Sequence, residues 1–271
     1  MIRDIPILVV RTVTKLDQTS EGTIVIGGSH AAPFTTFLTL KARAHAAILH
    51  DAGIGLEEAG VGGLRWAEQF GFAMAAVDGR TARIGDGDDM LQRGRISRVN
   101  RFAKQCGVEI GMSCEKAAKL LRDARAATSW PEQMQETRHV VSVEGLDVVT
   151  VDSVALARES DRGKIIATGS HGGQPSAGYA GRISPKMVLF NDASFGVDHA
   201  GIACFPILDE LGIAAASVSS FTARIGDGRS TLMDGVVSAL NRNAARMGAC
   251  EGSRALQLVT FLTTKGSNLC L

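Results

Sequence analysis

Three short runs of chemically capable residues occur in the same order twice along this chain. Gly28-Ser29-His30, Asp51-Ala52 and Thr81-Ala82-Arg83-Ile84-Gly85-Asp86-Gly87 return as Gly169-Ser170-His171, Asp192-Ala193 and Thr222-Ala223-Arg224-Ile225-Gly226-Asp227-Gly228. A histidine suits proton transfer near neutral pH. An aspartate on a neighbouring strand end can orient the imidazole. An arginine offers a two-pronged grip on a carboxylate or phosphate. His171, Asp192, Ser170 and Asp227 are therefore the candidate catalytic residues, and Arg224, Arg83 and His30 are candidate substrate-binding residues. The competing reading is structural: Arg224 pairs with Asp227 or Asp192, Asp227 caps a helix or forms a turn, and the glycines only make turns.

The second series carries more of this chemistry. After His171 it reads Gly172-Gly173-Gln174-Pro175-Ser176, where the first reads Ala31-Ala32-Pro33-Phe34-Thr35. Paired glycines after a strand leave backbone N–H groups able to face an anion. Gly172, Gly173 and Ser176 are thus expected to bind substrate, together with Asn191, which stands where the first series has His50. Ser170 adjoins His171, but adjacent strand residues point apart, which weakens that pair as a dyad. Ser194, just past Asp192, is the other hydroxyl considered.

A strand ending in His-Gly beside one ending in Asp-Ala is similar to the layout of caspase-like cysteine peptidases. His171-Gly172 and Asn191-Asp192-Ala193-Ser194 carry that likeness over about 25 residues, with a serine in place of the cysteine. The likeness is topological and assigns no family. No GxxxxGK[ST] or GxSxG motif is present and no GxGxxG follows a strand, which disfavours nucleotide kinases, dinucleotide-dependent dehydrogenases and α/β-hydrolases. No cofactor is expected, and the spacing of His and carboxylates gives no recognisable metal site.

The elements that position these residues follow from the apolar pattern. When Gly28 is set on Gly169, the match runs without a gap from Gly22 to Gly111, and about 29 of about 90 positions are identical. Two tandem, pseudo-symmetric copies of a β-α-β-α unit are expected, each with a mainly parallel sheet and helices on both faces. Residues 1–130 form copy one, with its core repeat at 22–111. Residues 131–162 are a linker, and 163–271 form copy two, with its core repeat at 163–252. Within the linker Val140–Val151 reads either as a hairpin turning at Glu144-Gly145 or as the first strand of copy two.

Buried strands are predicted at Thr23–Gly27, Ala46–Leu49 and Phe72–Val77, and at Lys164–Thr168, Met187–Phe190 and Ile213–Val218. Helices are predicted at Gly60–Phe70 and Gly201–Leu211, with Pro206 in a first turn. Longer helices are expected from Met90 to Cys106 and from Thr231 to Met247. On those helices Ser97, Asn100, Ala103 and Gly107, matched by Ser238, Asn241, Ala244 and Gly248, would share an arc of roughly 120°. That face is expected to pack against a neighbouring helix, with Asn100 and Asn241 donating to a ligand as the alternative. In parallel α/β sheets ligands bind beyond the carboxyl ends of the strands, which is where the three shared runs fall.

Composition narrows the function. The net charge is +1, and aromatic residues make up 5%, so neither nucleic acid nor an anionic membrane is an expected partner. No apolar stretch is long enough to span a bilayer, and Met1–Val13 lacks the long apolar run of a secretion signal. The five cysteines, Cys106, Cys114, Cys204, Cys250 and Cys270, show no CxxC spacing. The expectation is a cytoplasmic protein with reduced thiols. Its partner is a small-molecule substrate, and self-association is left open. The expected activity is that of a hydrolase or lyase on a small anionic metabolite (a carboxylate, amide or phosphate). The alternatives are a pseudo-symmetric isomerase or racemase, a non-catalytic ligand-binding protein and a structural subunit.

Overall fold

A computed structural model describes residues 4–263; Cys270 lies outside the described residues. The chain is α/β and divides into two compact units. One holds residues 4–54, 58–135 and 196–198, and the other holds residues 55–57, 136–195 and 199–263.

The first unit is built on a five-stranded sheet of order β1-β2-β3-β4-β5. Its strands are β1 (Ile7–Val10), β2 (Ile24–His30), β3 (Ala46–His50), β4 (Ala73–Val77) and β5 (Ile96–Val99). The first four are parallel and β5 is antiparallel to β4. Strand residues alternate between two apolar layers. Ile24, Ile26, Ile48 and Ala75 pack with Met90 of α3 (Gly87–Arg93), Ala103 of α4 (Arg101–Gln105) and Ala117 of α5 (Cys114–Leu120). Val25, Ala47, Leu49 and Met74 pack with Leu40 of α1 (Pro33–Lys41) and Leu64 of α2 (Gly62–Ala67). A strand buried on both faces has no polar alternation, which is why these runs read as continuous apolar stretches.

The second unit has a six-stranded sheet of order β11-β10-β9-β8-β7-β6. Here β6 is Arg138–Val143, β7 Leu146–Val151, β8 Ile165–His171, β9 Met187–Asn191, β10 Ala214–Val218 and β11 Val237–Leu240. Strands β7 to β10 are parallel; β6 and β11 are antiparallel to their neighbours. The segment Val140–Val151 is both things considered for it. It makes a hairpin through Glu144-Gly145, and its second arm, β7, is also the parallel neighbour of β8. One face of the sheet carries α6 (Gln174–Ile183) and α7 (Phe205–Glu210). The other carries α8 (Gly228–Met233), α9 (Arg242–Arg246) and α10 (Ala255–Thr263).

Two expectations need correcting. The long helix expected over Met90–Cys106 is instead α3, the antiparallel strand β5 and α4, and Thr231–Met247 is divided into α8, β11 and α9 in the same way. The reason sits at Gly94 and Gly235. A side-chain carbon at Gly94 would strike the Met90 carbonyl, and one at Gly235 would strike the Thr231 carbonyl. Each helix stops just before its glycine, which lets the chain turn this closely on the last helical turn, and β-branched residues that suit a strand follow. The shared Ser-Asn-Ala-Gly set does not form one helical face. Ser97 lies on β5, Asn100 caps α4, Ala103 lies inside α4, and Gly107 follows it with φ +82°. Helices α1 and α6 lie in stretches where the sequence pattern predicts no element.

Among the described residues no helix is long and apolar enough to cross a membrane. Cys106, Cys114 and Cys204 are free thiols.

Candidate functional site

The three shared runs do fall at the carboxyl ends of the parallel strands in each unit, and most of their polar groups are engaged with backbone. In the second unit Ser170 follows Gly169 near the end of β8, and its Oγ accepts the Val154 N–H at 3.0 Å. Ser29 does the same for Val13 at 3.1 Å in the first unit. Asp227 caps α8 by accepting the Ser230 N–H at 2.9 Å. Gly169 is required beside this cap, because a methyl group there would run into the Asp227 backbone.

Asp192 is 2% exposed. Its Oδ1 accepts two backbone N–H groups, Ser194 at 2.8 Å and Ser220 at 2.9 Å. Asp51 holds Gly53 and Gly79 in the same manner, both at 2.9 Å. These carboxylates clamp an uncommon backbone. Ala193, Ser194 and Phe195 run consecutively with φ of 47°, 58° and 61°, and Ala52, Gly53 and Ile54 have 51°, 69° and 69°. Each non-glycine residue held left-handed costs about 1–2 kcal/mol. Two N–H bonds to a buried carboxylate offset a strain of that size.

Asn191 and His50 make matched bonds in the two units. Asn191 Oδ1 accepts the Ala193 N–H at 3.0 Å and its Nδ2 donates to the Ala223 carbonyl at 3.1 Å. In the first unit His50 Nδ1 accepts the Ala52 N–H at 3.0 Å and Nε2 donates to the Ala82 carbonyl at 3.0 Å. Burial pushes the His50 imidazole below its usual range, against the opposing pull of Asp51. The ring is therefore a neutral bracket. Asn241 is also a bracket: it donates to the Ile213 carbonyl and accepts the N–H groups of Ala215 and Ala244. Asn100 repeats this with Phe72, Met74 and Ala103.

The expected anion donors are committed within the unit. Gly172 N–H donates to the Asn191 carbonyl at 3.2 Å, and Gly173 N–H donates to His171 Nδ1 at 3.0 Å. Ser176 Oγ donates to the His171 carbonyl at 2.7 Å. Arg224 pairs with neither Asp227 nor Asp192. Its Nε and Nη2 grip Glu57 of the same unit at 2.7 and 2.8 Å, and Asp234 lies 3.7 Å from Nη1. The Arg224 guanidinium correspondingly draws the Glu57 carboxyl below its usual range. In the first unit Arg83 pairs with Asp89 and Asp198. His30, next to His50 in register, is pushed down to about 4 by burial and then by His50.

Two further groups stand at this edge of the second unit's sheet. His171 is half-buried, and its Nδ1 accepts a backbone proton, so the neutral ring carries its own proton on Nε2. The second is Glu136, a linker residue that is not among those expected from the sequence. Burial, and then the Asp152 carboxylate, raise it to about 7. Asp152 follows the last residue of β7 and is tied to the next residue, Thr137, by reciprocal bonds: Thr137 N–H to Oδ2 at 2.6 Å, and Asp152 N–H to the Thr137 carbonyl at 3.1 Å. Glu136 thus belongs to the same edge of the sheet as His171. No spacing pattern in the sequence could have signalled it, since its shift comes from tertiary burial.

Among the described residues no group of three or more His, Cys, Asp or Glu side chains is placed to hold a metal ion. A separate hollow of about 630 Å³ in the first unit is lined by Val13, Leu16, Leu38, Lys41 and Arg43, among others, and by none of the expected site residues. No protein-family model matches the chain, and no curated protein and no solved structure matches it either.

Proposed function

We propose that the chain is a small-molecule enzyme of hydrolase or lyase type, working on a small anionic metabolite at the carboxyl-end edge of the second unit's sheet. The observation that carries this reading is the left-handed run Ala193-Ser194-Phe195, clamped by Asp192 beyond β9, the strand next to β8 and its terminal His171. Strain held this firmly is characteristic of ligand sites.

In this reading His171 acts as a hydrogen-bond donor through Nε2, because Gly173 occupies Nδ1 as donor. A carboxyl titrating near neutrality, Glu136, supplies a matched base. Asp192, Asn191, Asn241, Ser170 and Asp227 act as positioning residues. Arg224 reaches an anion only by exchanging Glu57 for it. A non-catalytic ligand-binding protein is the second reading, favoured by the number of shared polar groups already bonded to backbone.

We also propose that the units are tandem copies of one ancestral unit, with domain limits near residues 130 and 163. The shared residues support this, as do the matched bonds of Ser29 and Ser170, Asp51 and Asp192, and His50 and Asn191. The near-zero net charge supports a protein with neither nucleic acid nor an anionic membrane as partner; a cytoplasmic location and self-association are left to measurement.

The test is His171→Asn, which keeps an acceptor for Gly173 while removing the imidazole Nε2 donor. Wild type and variant are screened at pH 7 against small carboxylates, amides and phosphate esters. A loss of about 100-fold or more in turnover at unchanged thermal stability is expected. Equal turnover removes His171 from the mechanism.

A further inference from the structure

Ser194 and Ser220 of the second unit place their hydroxyl oxygens 2.8 Å apart. Neither hydroxyl is needed to build the loop. The backbone N–H groups of both residues hold Asp192, and in the first unit Gly53 and Gly79 hold Asp51 through the same two bonds with no side chains at all. Ser194 is moreover kept at φ +58°, a conformation in which glycine is free of strain. The hydroxyl pair is thus surplus to the fold, and Ser194 stands within the left-handed run at the sheet edge.

The pair has a defined polarity. Ser220 is 1% exposed, and among the described residues the partner of its Oγ is Ser194 Oγ. A buried hydroxyl proton left without an acceptor is costly, so Ser220 donates to Ser194. The Ser194 hydroxyl is only part-buried, and its own proton is then directed away from Ser220. A donor supported by a second donor behind it is strengthened, and it selects an acceptor oxygen.

We infer that Ser194, backed by Ser220, is a recognition point for the acceptor oxygen of a small carboxylate or carboxamide. This rests on the second unit's strand-end site being the ligand site. It adds the group that reads the substrate.

The experiment measures binding of malonate and of malonamide to the full chain by isothermal titration, for wild type, Ser194→Gly, Ser194→Ala and Ser220→Gly. The two glycine variants copy residues that already serve the first unit, so melting temperatures within about 4 °C of wild type are expected. Ser194→Ala keeps the loop's Cβ should the glycine variant fold poorly. Binding of at least one compound to wild type, weakened about tenfold or more in both Ser194 variants, is the expected result. Which compound binds tells carboxylate from carboxamide. Equal affinity in the Ser194 variants overturns the inference, as does failure of both compounds to bind wild type. If His171→Asn abolishes turnover while Ser194→Gly leaves turnover and binding intact, the serine pair is excluded and the wider functional reading stands.

Discussion

The backbone N–H of Gly173 points at Nδ1 of His171 across 3.0 Å. An imidazole that accepts at Nδ1 holds its proton at Nε2, and taking a second proton would turn Nδ1 into a donor facing another donor. His171 is therefore expected in the Nε2–H tautomer at pH 7.5. Its ring ¹⁵N shifts in a selectively labelled sample measure this directly. An Nδ1–H signal would mean that the loop bond does not form, and would reopen the assignment of His171 as a donor.

The exchange of His50 for Asn191 at matched brackets makes a stability prediction. His50→Asn keeps an acceptor for Ala52 and a donor for Ala82, and it should change unfolding free energy by less than about 1 kcal/mol. His50→Leu strands two buried backbone groups and should cost about 3 kcal/mol. Urea titrations of the two variants compare them. Equal losses would show that the bracket bonds contribute nothing specific.

The same comparison shows what could be read without coordinates. The buried strands were legible because Ile24, Ile26 and Ile48 face one layer and Val25 and Leu49 the other, leaving no polar interruption. The expected helix through Val236 and Leu240 failed because β11 buries Val237 and Ala239 on a strand, and a short strand between two helices can imitate a 3–4 spacing. Asp192 directly follows β9, and Arg224 lies in the turn between β10 and α8. Their partners, backbone N–H groups for one and Glu57 for the other, are products of chain folding that residue type cannot reveal. Glu136 illustrates the same limit from the other side, since nothing in its local sequence marks it as buried.

Glu136 fixes the sign of a pH effect. Its folded value, about 7, lies above the ordinary 4.5. Between those limits the folded state binds the proton more tightly than the unfolded chain, so this residue lowers stability as pH rises from 4.5 to 7. Glu136→Gln removes that loss. It should be nearly neutral at pH 4.5 and stabilise by about 1–2 kcal/mol at pH 8, after discounting for the exposed part of the side chain. Denaturant melts at the two pH values check it. A variant less stable than wild type at pH 8 would contradict the assignment.

His30 acts in the opposite direction. Its folded value of about 4 lies below the ordinary 6.5, so the unfolded chain binds the extra proton between those limits and stability falls as pH drops from 6.5 toward 4. The contribution is about 3 kcal/mol by order of magnitude. Comparing wild type with His30→Asn at pH 7.5 and pH 4.5 isolates it. The variant should lose less stability on acidification, and an identical loss would exclude His30 as the source.

The most direct measurement of where this chain binds its ligand is amide chemical-shift mapping of the ¹⁵N-labelled protein against the panel of small carboxylates, amides and phosphate esters. Saturable shifts centred on Gly172, Gly173, Ser194 and Ser220 are predicted. Saturable shifts confined to the hollow lined by Leu16, Lys41 and Arg43 in the first unit, with the second unit's strand ends unmoved, would contradict it.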